Sequence, residues 1–163
     1  MIAEKPRGVL DCMIYLQAVA RETSPAAACL RLSESRRIEL FISRQIIAEV
    51  RDVLSRDDIR RRFKTVTDES VANFIERVRK TSKLIKTIPK RFDYRERDVK
   101  DEPYINLAIR VRADYLVSRD KDLLDLMSWN REAGRDFQKR FPFLKIVTPE
   151  DFLDEIEQSG AAQ

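Results

Sequence analysis

Short apolar runs of strand length alternate along this chain with stretches whose apolar residues recur at helical intervals. That alternation constrains the fold more than any other feature. Gly8-Val9-Leu10 is closed by Asp11, after which Ile14, Tyr15, Leu16 and Val19 follow helical spacing. Ser24 before Pro25 and an alanine run predicts a second helix, starting on an N-cap with proline in the first turn and ending near Arg36. Residues 38–42 read as a strand, and Ser43 can cap a helix carrying Ile46, Ile47, Val50, Val53 and Leu54. A short basic helix is predicted over 56–63, and a longer one over 67–83 from Val71, Phe74, Ile75 and Val78. Residues 85–88 read as a short strand and 89–100 as a charged loop. Asp101 then opens a helix with Pro103 in its first turn and Tyr104, Ile105, Leu107, Ala108, Ile109 and Val111 on its apolar face. A buried strand over 114–118, a short helix over 120–127, a polar segment over 128–142 around Trp129, and a strand over 145–147 follow. Thr148-Pro149-Glu150 starts the last helix.

Strands separated by helices predict an α/β fold: an α/β/α sandwich around a central, mainly parallel sheet, because parallel neighbours need crossover connections. With 163 residues, of which 43% are apolar, the chain is expected to form one domain with its core over about 8–156. In such sheets ligands bind outside the carboxyl ends of the strands, where the strand order reverses.

The chain contains no histidine. The usual zinc sites, serine triads and cysteine–histidine pairs therefore lose their commonest ligand or base, and carboxylates become the available chemical tools. Cys12 and Cys29 are too few for a disulfide framework and fit no zinc-ribbon spacing, so both are expected to be buried thiols. Residues 1–7 lack an apolar leader and no run approaches the length of a membrane span, which predicts a cytoplasmic protein. Net charge is +4, with 32 Lys and Arg against 28 Asp and Glu, and charged residues make up 37%. Solvated helix faces account for such a balance, and position must show whether any of it meets a polyanion.

Four acids stand out by position: Asp11, Glu49, Asp101 and Asp120. Asp11 closes the first strand and Asp120 lies two residues beyond the strand ending at Ser118, so adjacent strands would bring both to one sheet edge. Asp101 sits at a helix start, where the dipole favours its charge, and Glu49 falls on the rim of its helix's apolar stripe. Asp101 and Asp120 would also serve as simple N-caps, and Glu49 alone would pass for a surface acid. Together the four point to a site for a hard divalent cation.

The order of these segments resembles the PIN-domain nucleases, particularly the ribonuclease toxins of prokaryotic toxin–antitoxin systems. The resemblance rests on Val9-Leu10-Asp11, Ile46-Ile47-Ala48-Glu49-Val50 and Asp98-Val99-Lys100-Asp101 running into Ile105-Asn106-Leu107-Ala108. It continues through Leu116-Val117-Ser118-Arg119-Asp120-Lys121-Asp122-Leu123-Leu124 and closes with Ile146-Val147-Thr148-Pro149-Glu150. It implies a Rossmann-like fold and a metal-dependent endoribonuclease with Asp11, Glu49, Asp101 and Asp120 as its catalytic acids. Asp11, Asp101, Asp120 and Asp122, with Asp98 a further candidate, would hold Mg²⁺ or Mn²⁺. Arg60, Arg61, Arg62 and Lys64, or Arg110 and Arg112, would contact RNA phosphates. The implied partners are RNA, a cognate antitoxin protein and a second copy of the chain, with the 67–83 helix a candidate dimer face.

One departure from the family pattern carries a consequence. Met13 stands where an asparagine is usual, and its thioether cannot hydrogen-bond a carboxylate or a bound water as an amide can. The alternative is thus a catalytically weak PIN-fold module that binds RNA or protein. A phosphate-accepting receiver-like domain also carries acids at strand ends, but it would need a lysine after a late strand and a mid-chain acceptor, and neither is evident.

Overall fold

The computed structural model describes residues 4–94 and 99–160. Five parallel strands form one sheet: β1 (Arg7–Leu10), β2 (Glu39–Ser43), β3 (Ser82–Ile85), β4 (Tyr115–Val117) and β5 (Lys145–Val147), in the order β3-β2-β1-β4-β5. β1 lies at the centre, pairing Gly8 with Leu40 on one side and Val9 with Leu116 on the other. Successive residues of a strand face opposite sides of its sheet, yet Val9 and Leu10, and likewise Leu40, Phe41 and Ile42, are all buried. Helices therefore cover both faces, as a parallel sheet requires.

The chain first winds outward, β1 to β2 to β3, and then returns across the centre to lay down β4 and β5. Right-handed crossovers place the helices of the first half on one face and those joining β3 to β4 and β4 to β5 on the other. The first set comprises α1 (Cys12–Ala20), α2 (Pro25–Glu34), α3 (Arg44–Ser55), α4 (Asp57–Arg62) and α5 (Asp68–Thr81). The second comprises α6 (Glu102–Arg110), α7 (Lys121–Leu124) and α8 (Glu132–Arg140), and α9 (Pro149–Gln158) closes the chain. The packing agrees: α2 lies against α1, α5 and α9, while α6 lies on β1, β2 and β4. The reversal falls between β1 and β4, and it fixes where a ligand cleft can open.

Local sequence explains most helix starts. Side chains of Asp11, Ser24, Ser43, Thr67, Asp120 and Thr148 each accept a hydrogen bond from a backbone N–H in the first turn that follows. Thr67 and Ser70 complete a reciprocal capping box, and α2 stops at Glu34 with Arg36 in the left-handed region at φ 61°.

Two expectations need correction. The third strand is Ser82–Ile85 rather than 85–88, so α5 ends at Thr81 and not at residue 83. β3 is an edge strand with Lys83 exposed, and the polar Ser82-Lys83 pair reads as a helix tail when only burial patterns are weighed. The polar segment over 128–142 contains α8, whose Phe137 is fully buried and meets the ring of Phe92 edge-on at 5.1 Å. Trp129, around which that segment was expected to lie, is exposed. The apolar stripe of α5 (Val71, Phe74, Ile75, Val78) is buried in the chain's own core. No helix among the described residues is long and apolar enough to cross a membrane.

Candidate active site

The carboxyl ends of β1 and β4 meet in a cleft of about 350 Å³ whose lining includes Asp11, Glu49, Asp101 and Asp120. Asp11 continues the sheet one residue past β1, its N–H donating to the Val117 carbonyl at 3.1 Å. Its Oδ1 accepts from the Ile14 N–H at 3.1 Å, capping α1, and its Oδ2 accepts from the Ser118 hydroxyl. Ser118, fully buried, also accepts from the Asp120 N–H at 2.9 Å. One serine thus couples the two acids that the strand ends supply. Burial pushes the Asp11 carboxyl up to about 6; the Ser118 and Ile14 hydrogen bonds oppose that rise, and the nearby charge of Asp120 adds to it.

Asp120 caps α7 by accepting from the Asp122 N–H at 2.8 Å, so its expected capping role and its place in the cleft coexist. Asp101 differs: it ends a short 3₁₀ turn (Val99–Asp101), makes no side-chain cap and is buried, with α6 starting at the next residue. One carboxylate oxygen from each of Asp101, Asp120 and Asp122 lies within 4.8 Å of the other two. Asp11 and Glu49 stand outside that group of three but share the cleft with Asp101 and Asp120. Glu49, half-buried on α3, accepts from the Tyr104 hydroxyl of α6 at 2.7 Å. Burial and the neighbouring negative charges hold the Tyr104 proton firmly, so the tyrosine acts as a donor that orients Glu49.

Cys12 also lines the cleft, but burial and the charges of Glu49 and Asp11 raise its thiol to about 12. A thiol so displaced is a poor nucleophile at neutral pH. Met13 is exposed on the cleft wall, where its side chain offers no hydrogen bond comparable to an amide's. The main-chain N–H of Ile14 and the hydroxyl of Ser118 hold Asp11 in place beside it.

Cations that sequence reasoning passed over flank these acids: Arg56, Lys100 and Arg119 all line the cleft. Arg119 is clamped, its Nε donating to Gln17 at 2.9 Å and its two Nη atoms to Glu150 at 2.9 and 2.6 Å. A signal for it existed in Ser118-Arg119-Asp120, where it sits between two site residues, and Tyr104 follows Asp101 by three residues on one turn.

The residues expected to contact phosphates lie outside this cleft. Arg60 donates to the Leu54 carbonyl and to Asp68 at 2.6 Å, in the groove of about 600 Å³ between α3, α4 and α5. Arg61 and Lys64 are exposed outside the cleft, and Arg62 lies over the Phe63 ring at 5.2 Å. Arg110 and Arg112 lie just before β4 begins, at the opposite end of the strands from the acids, and Arg112 covers Phe143 at 4.5 Å. Asp98 lies outside the described residues.

An all-parallel sheet in the order β3-β2-β1-β4-β5, with carboxylates gathered at its reversal point, defines a Rossmann-like α/β protein with an acidic cleft. The chain belongs to the PIN-domain family, typically nucleases: residues 7–122 match that family. None of the curated proteins matches the chain. The matched span holds all four predicted catalytic acids, whereas Glu150, which clamps Arg119, lies beyond it.

Proposed function

We propose that this protein is a metal-dependent endoribonuclease that hydrolyses RNA phosphodiester bonds. The observation that carries the reading is the meeting of Asp101, Asp120 and Asp122 within 4.8 Å, beside Asp11 at the sheet's reversal point. The donor set suits a hard cation, because every ligand is a carboxylate oxygen. Asp11, Asp101, Asp120 and Asp122 would hold Mg²⁺ or Mn²⁺, which when bound polarises a phosphate and a water. Glu49, oriented by Tyr104, is the proposed acceptor of the proton released as water attacks phosphorus and one P–O bond breaks. Ser118 fixes Asp11 and Asp120 relative to each other, so the acids need little rearrangement on binding.

The choice of RNA, and the role of toxin in a toxin–antitoxin module with a cognate antitoxin as partner, extend the family assignment. A second reading has its own observation: Met13, exposed on the cleft wall, leaves Asp11 without the amide usual at that position, which favours a weak enzyme that chiefly binds RNA or a protein.

Incubating a mixed RNA pool with the purified chain in Mn²⁺, Mg²⁺ or EDTA separates the two. The nuclease reading expects metal-dependent cleavage that drops at least a hundredfold in Asp11→Asn and Asp120→Asn. Absence of cleavage by the wild type, with a large gain on Met13→Asn, would favour the second reading. Cleavage persisting undiminished in both aspartate variants would sink the assignment of the site.

A further inference from the structure

Beside the acidic cleft, and sharing Gln17 and Arg119 with it, runs a groove of about 340 Å³. We infer that this groove, walled by Arg21 and Arg62 and floored by Phe63, is the track that carries the single-stranded RNA backbone away from the scissile phosphate. The inference rests on the nuclease reading for its starting point, and its support is independent of the carboxylates.

The charges in the groove differ in their engagement. The Arg119 guanidinium is committed at all three nitrogens, to Gln17 and Glu150, so it forms a neutralised, rigid ridge between cleft and groove. Arg21 and Arg62, by contrast, are exposed and make no ion pair among the described residues. Two exposed arginines that line one groove without an ion pair suit a polyanion, and the groove adjoins the acidic cleft through Gln17 and Arg119. The Arg62 guanidinium lies over the Phe63 ring at 5.2 Å, a cation–π contact that leaves its N–H groups to donate to a phosphate. The neighbouring cations lack this arrangement. Arg60 is spent on Asp68, while Arg61 and Lys64 stand outside the groove's lining. Of the four basic residues at 60–64, the geometry therefore selects Arg62, and it adds Arg21 from the end of α1, which sequence alone did not suggest.

The test pairs Arg21→Ala/Arg62→Ala with the control Arg61→Ala/Lys64→Ala, both first checked for an unchanged melting temperature. Binding of a labelled twelve-nucleotide single-stranded RNA is followed by fluorescence anisotropy in EDTA, where no metal-dependent cleavage occurs, across a salt series. Steady-state cleavage of the same RNA in Mn²⁺ is then measured. The groove variant is expected to bind at least tenfold more weakly, with a salt slope shallower by roughly 1.4, about 0.7 for each phosphate that an arginine no longer neutralises. In Mn²⁺ its KM should rise in proportion with kcat unchanged, Arg62→Lys should recover part of the affinity, and the control should resemble wild type. Equal binding by the groove variant and wild type, or an equal weakening in the control, would overturn the track. Wild-type binding that depends on Arg21 and Arg62 without any cleavage in Mn²⁺ would support the track while refuting the nuclease reading, so the two can fail separately.

Discussion

Burial of the Asp11 carboxyl comes at the expense of folding stability. Its carboxyl sits near 6 instead of its ordinary 3.8, chiefly because it is buried. The folded state thus binds this proton more tightly than the unfolded chain, so the stability tied to it is fully present below about pH 4 and lost as pH rises to about 6. The displacement corresponds to about 3 kcal/mol at most. Asp11→Asn keeps a side chain that can cap α1 and meet Ser118 while removing the buried charge. In metal-free buffer at pH 8 this variant should be more stable than wild type by about 1–3 kcal/mol in urea denaturation, with the gap closing towards pH 4. A less stable variant at pH 8 would show that the charge is well solvated. Tyr104 makes a second residue-level case. Tyr104→Phe removes the donor to Glu49 and should lower cleavage about tenfold while Mn²⁺ affinity, read by calorimetry, stays within about twofold of wild type. A matching loss of metal affinity would show that Glu49 belongs to the cation's ligands.

Among the elements, helix starts were legible and the edge strand and α8 were not. Ser24-Pro25, Ser43, Thr67 and Thr148-Pro149 announce their helices because capping joins residues two or three apart. β3 eludes such reading because its polar Ser82 and Lys83 are tolerated only at a sheet edge, a fact of tertiary placement. α8 is concealed by charge: its buried side is little more than Gly134 and Phe137, and its partners Phe92 and the 3₁₀ turn Asp125–Met127 lie on other segments. Gly134 shows how close that packing is, since a Cβ there would fall on the Ser128 carbonyl oxygen and reach within 3.1 Å of the Asp125 carbonyl. Helix propensity alone would make Gly134→Ala stabilising by about 1 kcal/mol. Backbone-on-Cβ overlap should reverse the sign and destabilise by about 1–3 kcal/mol, seen as a lower denaturation midpoint. A higher midpoint would mean that α8 can shift away from the turn.

At the scale of the whole molecule, the cleft follows from topology. The chain reverses its winding between β1 and β4, which leaves the carboxyl ends of those strands uncovered and places Asp11, Ser118 and Asp120 there together. Asp11 and Asp120 were readable because each follows an apolar run, and the position after a buried strand is a strong hint in itself. The cations were not readable. Arg119 acquires its place through Gln17 and Glu150, and Arg21 and Arg62 come to line one groove only in the folded chain. A net charge of +4 describes neither the acidic cleft nor the basic groove next to it, because function depends on where the charges lie.

The central claim is that the carboxylates at the reversal point hold the divalent cation. Manganese titration followed by the loss of the free-ion paramagnetic resonance signal tests it most directly, using wild type, Asp101→Asn and Asp120→Asn with Arg62→Ala as a control. Wild type and Arg62→Ala should each take up about one ion per chain, and both aspartate variants should bind at least tenfold more weakly. Undiminished uptake in the two aspartate variants, or no uptake by wild type, would contradict the account.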